Sequence, residues 1–462
     1  MAEYRNTDPR HFFTRDRSFY KSFLSLLLFI ALQDLILFSV NLADNVMLGV
    51  YSESAMSGVA LVNQIQFLLH MLIGGIGDGT SVLCSQYWGA KQTDPIRRIV
   101  PIALRMGLLI SCVFVLTSLI FPMQALSIFS PDPVIIANGA EYMRIMAYSY
   151  LMFTFSSILL RVHQSVETVT LGFKVSLLAL CMNVGLNYIL IFGHLGFPEM
   201  GITGAATATL ISRAVEFIFI AMYTFLRDRK LQLRLKELFH IDKTLHKDFM
   251  RVSLPVILSG GSWGIAMCIQ TVILGHMGSA AIGANAIAVT FLQVLSVVIY
   301  ASAAASGVVT GKTVGKGDMS ALREYTRTFQ VIFIILGFIA SLLIQCLKPA
   351  VLSIYMQQLQ PETATLADHF INILSVAVIG TAYQMSCLTG IVRGGGHTRF
   401  VLYNDLIFMW GIILPASALC AFVFNQSPAV VFMCLKADQI LKCAVAFFEV
   451  NSYRWIKKVA RT

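Results

Sequence analysis

Residues 331–347 read Val-Ile-Phe-Ile-Ile-Leu-Gly-Phe-Ile-Ala-Ser-Leu-Leu-Ile-Gln-Cys-Leu and carry no charged side chain. Residues 108–122 form a second uncharged run, Leu-Leu-Ile-Ser-Cys-Val-Phe-Val-Leu-Thr-Ser-Leu-Ile-Phe-Pro. A membrane-spanning helix needs about 20 predominantly apolar residues, because a backbone in lipid must satisfy its own hydrogen bonds. A membrane β-barrel would instead show short segments of alternating polarity. The two runs therefore predict membrane-spanning helices.

The composition of the whole chain agrees with these two runs. Of the 462 residues, 57% are hydrophobic and 13% are charged, whereas an ordinary soluble domain has about 25% charged residues. The mean hydropathy is +0.74. The apolar residues suffice for at most about 13 spans, and division at charged and Gly/Pro-rich breaks gives about twelve. We therefore predict an all-α polytopic membrane protein with about twelve transmembrane helices.

The charged residues are unevenly distributed along the chain. Lys and Arg number 34 against 24 Asp and Glu, which gives a net charge of +10. In a twelve-span arrangement nearly all of these basic residues fall in loops on one side, which the positive-inside rule assigns to the cytoplasm. The charge therefore indicates orientation, with both termini cytoplasmic in a plasma membrane, and argues against a nucleic-acid partner.

Two segments of the chain resemble each other. Residues 44–49 read Asp-Asn-Val-Met-Leu-Gly, and residues 270–275, which lie 226 positions later, read Gln-Thr-Val-Ile-Leu-Gly. The same offset pairs Gly89 with Gly315. Recurrence in register indicates an internal repeat of about six spans. We therefore predict two six-helix lobes related by pseudo-two-fold symmetry, an arrangement of parallel halves that is typical of transporters.

The longest hydrophilic interruption, which begins at Arg227, separates the two halves. The N-terminal segment is basic and has no cleavage site of small residues, so the first hydrophobic segment is expected to be retained as a span. The predicted boundaries are a cytoplasmic segment at 1–21, a first lobe at 22–226, a cytoplasmic linker at 227–249, a second lobe at 250–452 and a cytoplasmic tail at 453–462.

The sequence shows no pattern that predicts catalysis or a bound cofactor. The nine cysteines are scattered singly through apolar stretches without a C-x-x-C pair, which is typical of buried, inert thiols. The motif H-E-x-x-H does not occur, and residues 394–396, Gly-Gly-Gly, lack the following Lys-Ser/Thr of a P-loop. We therefore expect no enzyme activity, no cofactor and no ATP site, so that an ion gradient would drive any transport.

Five motifs follow one another between about residues 20 and 455. They are Gln33-Asp34 followed by Asp44-Asn-Val-Met-Leu-Gly49, Asn183-Val-Gly-Leu-Asn187-Tyr-Ile-Leu190, Gly201-Ile-Thr-Gly-Ala-Ala-Thr-Ala-Thr209, Arg393-Gly-Gly-Gly-His-Thr-Arg399 and Trp410-Gly-Ile-Ile-Leu-Pro415. This ordered set resembles the multidrug and toxic compound extrusion (MATE) family. The resemblance implies a secondary transporter that works by alternating access, with H⁺ or Na⁺ as the coupling ion.

Three positions depart from the family pattern. Phe29 stands where the family usually has proline in the first span, and residues 164–169 are a reduced copy of the Arg-Gly loop. Residues 382–384, Ala-Tyr-Gln, stand where NorM-type members carry a tenth-span acid. Ion coupling is therefore expected in the first half of the chain.

The leading candidate for ion coupling is Asp44. A carboxylate inside a span costs at least about 2.5–3.5 kcal/mol, so it needs a partner, a cavity or a proton. The resemblance implies that Asp44 is the coupling acid, that Asn183 and Asn187 are its neighbours, and that Thr207 or Thr209 joins them. Asp44, Asn183 and Asn187 would then hold Na⁺ if sodium is the coupling ion, because oxygen ligands suit hard cations.

Asp34 is the second coupling candidate. It precedes Asp44 by ten residues, which corresponds to about 15 Å along an ideal helix and prevents the two from sharing one small ion. Other polar residues of the spans are candidates for the lining of a substrate cavity: Gln33, Asn41, Gln270, Asn285, Tyr383, Gln384 and Asp405.

Several further charged residues have structural interpretations. Arg213 with Glu216 and Asp438 with Lys442 have the spacing of neutralising pairs on one helix face. Asp78 lies in a run of glycines that suits close helix packing. Asp405 either caps Arg393 or Arg399, or lines a second-half cavity.

The sequence thus favours an antiporter that exports organic cationic or amphipathic compounds in exchange for H⁺ or Na⁺. The alternatives are a lipid-linked oligosaccharide flippase of the same superfamily and a non-transport membrane receptor or scaffold. A flippase predicts many cations within the spans, and a receptor does not predict a duplicated half. The expected partners are small organic molecules and membrane lipids, and the expected state is a monomer.

Overall fold

The computed structural model describes residues 13–239, 242–356 and 361–460. Within these ranges the regular structure is entirely helical, with no strand. This follows from the sequence, because long apolar runs in lipid must close their backbone hydrogen bonds within one segment. The predicted all-α fold class is therefore confirmed.

The helices are numbered in chain order, and most are longer than the bilayer core requires. At 1.5 Å per residue, the 35 residues of α1 are about 52 Å long, against a core of about 30 Å. The α-helices are α1 Arg17–Tyr51, α2 Glu53–Gly89, α3 Thr93–Ile120, α4 Pro122–Ser127, α5 Pro133–Ser165, α6 Thr170–Phe192, α7 Gly201–Met222, α8 Lys243–Gly275, α9 Ser279–Lys316, α10 Met319–Met356, α11 Pro361–Met385, α12 Thr398–Leu406, α13 Leu414–Ala418, α14 Pro428–Lys436 and α15 Asp438–Ser452.

Short segments of other helical geometry continue several of these helices. A 3₁₀ turn covers Leu235–Phe239, and π-helical turns cover Tyr223–Arg227, Ser386–Val392, Ile407–Ile413 and Leu419–Val423. The turn Ser386–Val392 continues α11. The turn Ile407–Ile413 joins α12 to α13, and the turn Leu419–Val423 continues α13, so that residues 398–423 form one continuous span.

The described residues contain 11 helices that are long and apolar enough to cross a membrane. The expected twelfth span lies at residues 428–452. Here the chain forms α14, with 9 residues, and α15, with 15 residues, which meet at Ala437. The prediction of about twelve spans is thus confirmed, with the last one divided into two shorter helices.

The internal repeat is visible in the helix boundaries. The first residues of α1, α2 and α3 are Arg17, Glu53 and Thr93, and those of α8, α9 and α10, each 226 positions later, are Lys243, Ser279 and Met319. The offset found in a six-residue segment therefore holds for the first three helices of each half, and the starts of the later pairs, α5 with α11, α6 with α12 and α7 with α14, differ by 228, 228 and 227. These near-constant offsets confirm that the chain consists of two related six-helix halves.

The chain packs into two compact units, and α1, α2 and α8 each contribute residues to both. The Asp44 unit comprises Leu32–Cys84 and Gln92–Gly260. The Gln270 unit comprises the described residues up to Ala31, the segment Ser85–Lys91 and the described residues from Gly261 onward. The boundaries proposed from the sequence, which follow chain order, remain a prediction.

Glycines bring helices close together within the Asp44 unit. A Cβ atom on Gly58 of α2 would lie 2.8 Å from the backbone nitrogen of Gly139 in α5. A Cβ on Gly75 would lie 2.7 Å from Cα of Ile257 in α8. Small residues permit this approach of two backbones. The packing role predicted for the glycine run around Asp78 is therefore confirmed.

Within the Gln270 unit, repeat-related residues contact each other. A Cβ on Gly89 would lie 2.7 Å from the carbonyl carbon of Lys312, and a Cβ on Gly315 would lie 2.7 Å from the carbonyl carbon of Gln86. Gln86 and Lys312 are themselves 226 positions apart. The two contacts are therefore copies of each other, as in an isologous interface.

The start of α10 depends on a side-chain cap. Oδ1 of Asp318 accepts a hydrogen bond of 3.0 Å from the N–H of Ala321 and one of 2.8 Å from the hydroxyl of Ser320. The backbone hydrogen bond from Ala321 lowers the pKa of Asp318. The charged cap therefore stabilises the fold above the carboxyl's ordinary pKa, and its contribution is lost as the pH falls through the lowered value.

We expect Asp318→Ala to lower the free energy of unfolding by about 1 kcal/mol at neutral pH, the usual cost of removing an N-cap. Thermal unfolding of the detergent-solubilised protein measures this change. The matched control is Asp318→Asn, which keeps an acceptor oxygen and removes the titration. A loss for Asp318→Ala that does not shrink towards low pH would contradict the role of the carboxylate.

Candidate functional site

Asp44 lies in α1 and is buried, with 8% of its surface exposed. The side-chain amide of Asn187, which is fully buried in α6, donates a hydrogen bond to Oδ1 of Asp44. The carboxylate predicted at membrane depth thus has a polar partner from a different helix.

Two more side chains extend this contact into a chain of hydrogen bonds. Nδ2 of Asn187 also donates to Oδ1 of Asn183, at 3.2 Å, and Nδ2 of Asn183 donates to Oγ1 of Thr209, at 3.2 Å. Asn183 and Asn187 are four residues apart, which places them on one face of α6. We call Asp44, Asn183, Asn187 and Thr209 the Asp44 cluster. It draws on α1, α6 and α7 of one unit.

The Asp44 cluster contains an oxygen that lacks a hydrogen-bond donor. Among the described residues, the buried Oδ1 atom of Asn187 has no hydrogen-bond partner. Leaving a buried acceptor unsatisfied costs about 1–3 kcal/mol. A cation would satisfy this oxygen, and carboxylate, amide and hydroxyl oxygens are the donors that Na⁺-like hard cations accept. The donor set therefore fits a small cation or a proton on Asp44.

A small cavity adjoins the cluster within the same unit. It offers about 30 Å³ for the centres of water molecules, which is room for about two waters, so in this conformation it suits a hydrated small ion better than an organic compound. Polar and charged side chains make up much of its wall: Asn41, Asp44, Asn63, Gln66, His70, Tyr142, Ser149, Tyr150, Thr209 and Arg213.

Several of these lining residues are absent from the sequence-based set. Asn63, Gln66 and His70 stand at i, i+3 and i+7 on α2, a spacing that places them on one helix face. This polar stripe on an apolar helix is visible in the sequence and could have identified the three residues as candidates for the cavity lining. Tyr142 and Tyr150 in α5 show no comparable pattern, because isolated aromatic residues are common throughout the spans.

Within the described part of the chain, no basic side chain lies within ion-pairing distance of Asp44. Arg213 forms an ion pair of 2.7 Å with Glu216, as the spacing of the two residues predicted. The guanidinium of Arg213 also lies 5.4 Å from the ring centroid of Phe153. Arg213 is within electrostatic range of Asp44, but its ion pair is with Glu216, so Asp44 is the carboxylate of the cavity wall that remains available to an exchangeable cation.

The structure distinguishes Thr209 from Thr207. The hydroxyl of Thr207 donates to the carbonyl oxygen of Thr203 in its own helix, at 2.7 Å, and is not part of the cluster. Residues two positions apart on a helix point to different sides, so only one of the two threonines faces Asn183.

Asp34 lies apart from the Asp44 cluster, in a second polar group of the same unit. Gln33 accepts a hydrogen bond of 3.2 Å from Gln164, and Gln164 accepts one of 3.2 Å from Arg161. Arg161 forms an ion pair of 3.5 Å with Asp78. Asp34 is within electrostatic range of both charges. Gln33 therefore belongs to this second group, whereas Asn41 lines the cavity beside Asp44.

The second-half candidates belong to separate contacts within the Gln270 unit. The hydroxyl of Tyr383 donates to Gln330 at 2.8 Å, and Gln384 donates to Gln439 at 2.9 Å. Asn285 lies in α9, is partly buried and takes part in none of these contacts. These side chains therefore do not form one cluster.

Asp405 has a partner that the sequence analysis did not consider. Its Oδ1 atom accepts a hydrogen bond of 3.0 Å from Lys442, which also lies 3.7 Å from Asp438. The expected pairing of Asp438 with Lys442 is confirmed, and the pairing of Asp405 with Arg393 or Arg399 stays a prediction. The helix that carries Lys442 packs beside Asp405, which sequence spacing does not reveal.

A site built from classical transition-metal ligands is absent from the part of the chain that the structure describes. There, no three His, Cys, Asp or Glu side chains are grouped as a metal site. The nine cysteines are all free thiols. The Asp44 cluster, which relies on amide and hydroxyl oxygens, remains the best candidate for cation binding.

The amino-acid sequence is similar to those of known membrane transporters. The family model described as MatE matches residues 30–189 and 255–419. The chain is 24% identical over 432 residues to the uncharacterized transporter YisQ of Bacillus subtilis (strain 168), with 90% of each chain covered. It is 25% identical over 413 residues to the probable multidrug resistance protein NorM of Halalkalibacterium halodurans, with 88% of each covered.

Solved structures share the fold at low sequence identity. A transporter of the MOP superfamily from Pyrococcus furiosus matches with a TM-score of 0.85 and 20% identity over 96% of this chain and 97% of that chain. A multidrug resistance MATE family transporter in an outward-facing conformation matches with a TM-score of 0.82 and 21% identity, again over 96% and 97%. Since the family model spans most of both halves, the chain belongs to the multidrug and toxic compound extrusion family of membrane transporters.

Proposed function

We propose that the protein is a secondary antiporter that exports organic cationic or amphipathic compounds in exchange for H⁺ or Na⁺, with the coupling ion bound at Asp44. The observation that carries this proposal is the Asp44 cluster, in which a buried carboxylate adjoins an amide oxygen without a hydrogen-bond donor. A carboxylate at membrane depth is costly unless a cation or a proton neutralises it. Exchange of the neutralising ion is therefore a natural function for Asp44.

The size of the small cavity supports separate binding places for the coupling ion and the organic substrate. Space for about two waters beside Asp44 admits a proton or a partly hydrated Na⁺. An organic compound would bind in another conformation or at a neighbouring surface, and the coupling ion at Asp44 would bias the transporter towards releasing it. Alternating access requires only that the ion binds the two conformations with different affinity.

The energetics of such exchange are sufficient for export. Each unit charge that moves inward along the membrane potential gains about 2.3 kcal/mol per 100 mV, which corresponds to more than a tenfold concentration ratio. Exchange of one cation for a monocationic compound moves no net charge, so it draws only on the chemical gradient of the ion.

The remaining expectations from the sequence belong to this proposal. The protein would lie in the plasma membrane with both termini in the cytoplasm, in accord with the placement of its basic loops. It would act as a monomer on small organic molecules, surrounded by membrane lipids and without a nucleic-acid partner. It would need no cofactor, and H⁺ or Na⁺ would serve as its coupling ion.

The test is transport by the purified protein in liposomes. Ethidium uptake is measured under an imposed pH gradient, an imposed Na⁺ gradient or neither, with protein-free liposomes as the control. We expect uptake to respond to one of the two ion gradients, and the responding gradient identifies the coupling ion. Uptake that is equal with and without both gradients would contradict antiport.

Thr209 provides a more local test of the cluster. We expect Thr209→Val to weaken the apparent affinity for the coupling ion by about tenfold, because an unsatisfied buried donor on Asn183 costs about 1–3 kcal/mol. The matched control is Thr207→Val, which removes a hydroxyl bound only within its own helix. Dependence of transport on ion concentration measures both variants, and equal affinities for the two would contradict the assignment of Thr209.

A further inference from the structure

Each member of the Asp44 cluster has a counterpart in the second half of the chain. Asp44 corresponds to Gln270 at the offset of 226 that relates α1 to α8. The later helices have slightly larger offsets: α6 and α12 begin 228 positions apart, and α7 and α14 begin 227 positions apart. By these offsets the counterparts of Asn183, Asn187 and Thr209 are Gly411, Pro415 and Lys436. The second half thus has an amide in place of the acid, glycine and proline in place of the two asparagines, and lysine in place of the threonine.

Gln270 contacts the two segments that correspond to α6 and α7. Gln270 is buried, and its Nε2 atom lies 3.5 Å from Sδ of Met409, in the segment that corresponds to α6. Lys436, the counterpart of Thr209, contributes an ammonium group whose Nζ donates a hydrogen bond of 3.1 Å to Oε1 of Gln270. The ammonium also lies 5.5 Å from the ring centroid of Phe432.

Charge at this place has the opposite sign to that in the first half. Among the described residues no carboxylate lies within ion-pairing distance of Lys436, whose hydrogen-bond acceptor is the neutral amide of Gln270. Asp438 is within electrostatic range of Lys436, but the cation within ion-pairing distance of Asp438 is Lys442, at 3.7 Å, and Lys442 also lies 3.0 Å from Asp405. Asp405 and Asp438 therefore share Lys442 as their ion-pair partner, and Lys436 places a positive charge beside Gln270, the counterpart of Asp44.

We propose that the ammonium group of Lys436 is a built-in cation that fills the second-half counterpart of the Asp44 site, so that the chain keeps a single exchangeable cation site. This inference rests on the proposed ion exchange at Asp44 and adds the number of cations that are exchanged in each transport cycle. An ammonium hydrogen-bonded to an amide oxygen takes the place that a bound cation would take, and its charge repels a second cation. One coupling cation per cycle is the consequence.

The first measurement counts exchangeable cations on the purified full-length protein. Sodium is counted as radioactive Na⁺ bound at saturation, and protons are counted as those released when tetraphenylphosphonium is added. We expect one exchangeable cation per wild-type chain and none for Asp44→Asn. If Asp44→Asn still binds an exchangeable cation, the single-site inference is overturned. If the wild-type protein binds no exchangeable cation, both this inference and the proposed ion exchange at Asp44 are contradicted.

The second measurement tests whether Lys436 is what blocks the second-half position. In the Asp44→Asn background, Gln270→Asp alone should bind no exchangeable cation, because Lys436 pairs with the new carboxylate. Gln270→Asp with Lys436→Met should regain one cation, and Gln270→Asp with Lys436→Arg, which keeps a positive charge, should regain none.

Equal cation counts for Gln270→Asp with and without Lys436→Met would overturn the role of Lys436, whether both bind or neither does. Gel filtration and thermal unfolding show whether these variants are folded. If a second-half variant is unstable, the comparison of wild type with Asp44→Asn still decides whether one site or two sites exist.

Discussion

Asp44→Asn should reduce ion-driven ethidium uptake into liposomes to the level of protein-free liposomes, while the protein remains folded and inserted. Asparagine has the shape of aspartate and keeps an oxygen for the amide of Asn187. It carries no charge and binds no proton in the physiological range, so the differential ion binding that drives the cycle is lost. Uptake under the ion gradient identified for wild type measures the effect.

The matched control for this variant is Asp34→Asn. It makes the same chemical change in the same helix, but Asp34 lies outside the Asp44 cluster, near Arg161 and Asp78. We expect Asp34→Asn to retain a response to the ion gradient. Wild-type uptake by Asp44→Asn, or equal loss in both variants, would contradict the assignment of coupling to Asp44.

Gly89→Ala should destabilise the folded protein strongly, although it adds only one methyl group. The new Cβ would lie 2.7 Å from the carbonyl carbon of Lys312, which is rigid helix backbone. Overpacking of this kind costs about 1–3 kcal/mol, and we expect a lower melting temperature in detergent. Because Gly315 makes the copied contact with Gln86, Gly315→Ala should have a similar effect.

The same helix offers a control for the glycine prediction. A Cβ on Gly74 of α2 would meet no atom within 4 Å, and alanine favours a helix over glycine by about 1 kcal/mol. Gly74→Ala should therefore leave the melting temperature unchanged or raise it. If Gly74→Ala and Gly89→Ala unfold at the same temperature, close backbone packing is not the reason for glycine at position 89.

The sequence determined the fold class and the repeat. Uncharged runs such as residues 331–347 can cross lipid only as helices, because no water is available to the backbone there. An offset of 226 between two six-residue segments was enough to predict the repeat, and the same offset relates the starts of α1, α2 and α3 to those of α8, α9 and α10. Asp44, Asn183 and Asn187 were also predictable, because the motifs that contain them occur in a family-like order.

The tertiary structure decided which side chains meet. It selected Thr209 over Thr207, added His70 and Tyr142 to the cavity, and brought Lys436 to Gln270. These outcomes depend on the rotation and tilt of helices that are distant in sequence, and one residue of rotation, about 100°, turns a side chain to another neighbour. Sequence spacing fixes the face of a single helix, whereas only packing determines which face of another helix lies opposite.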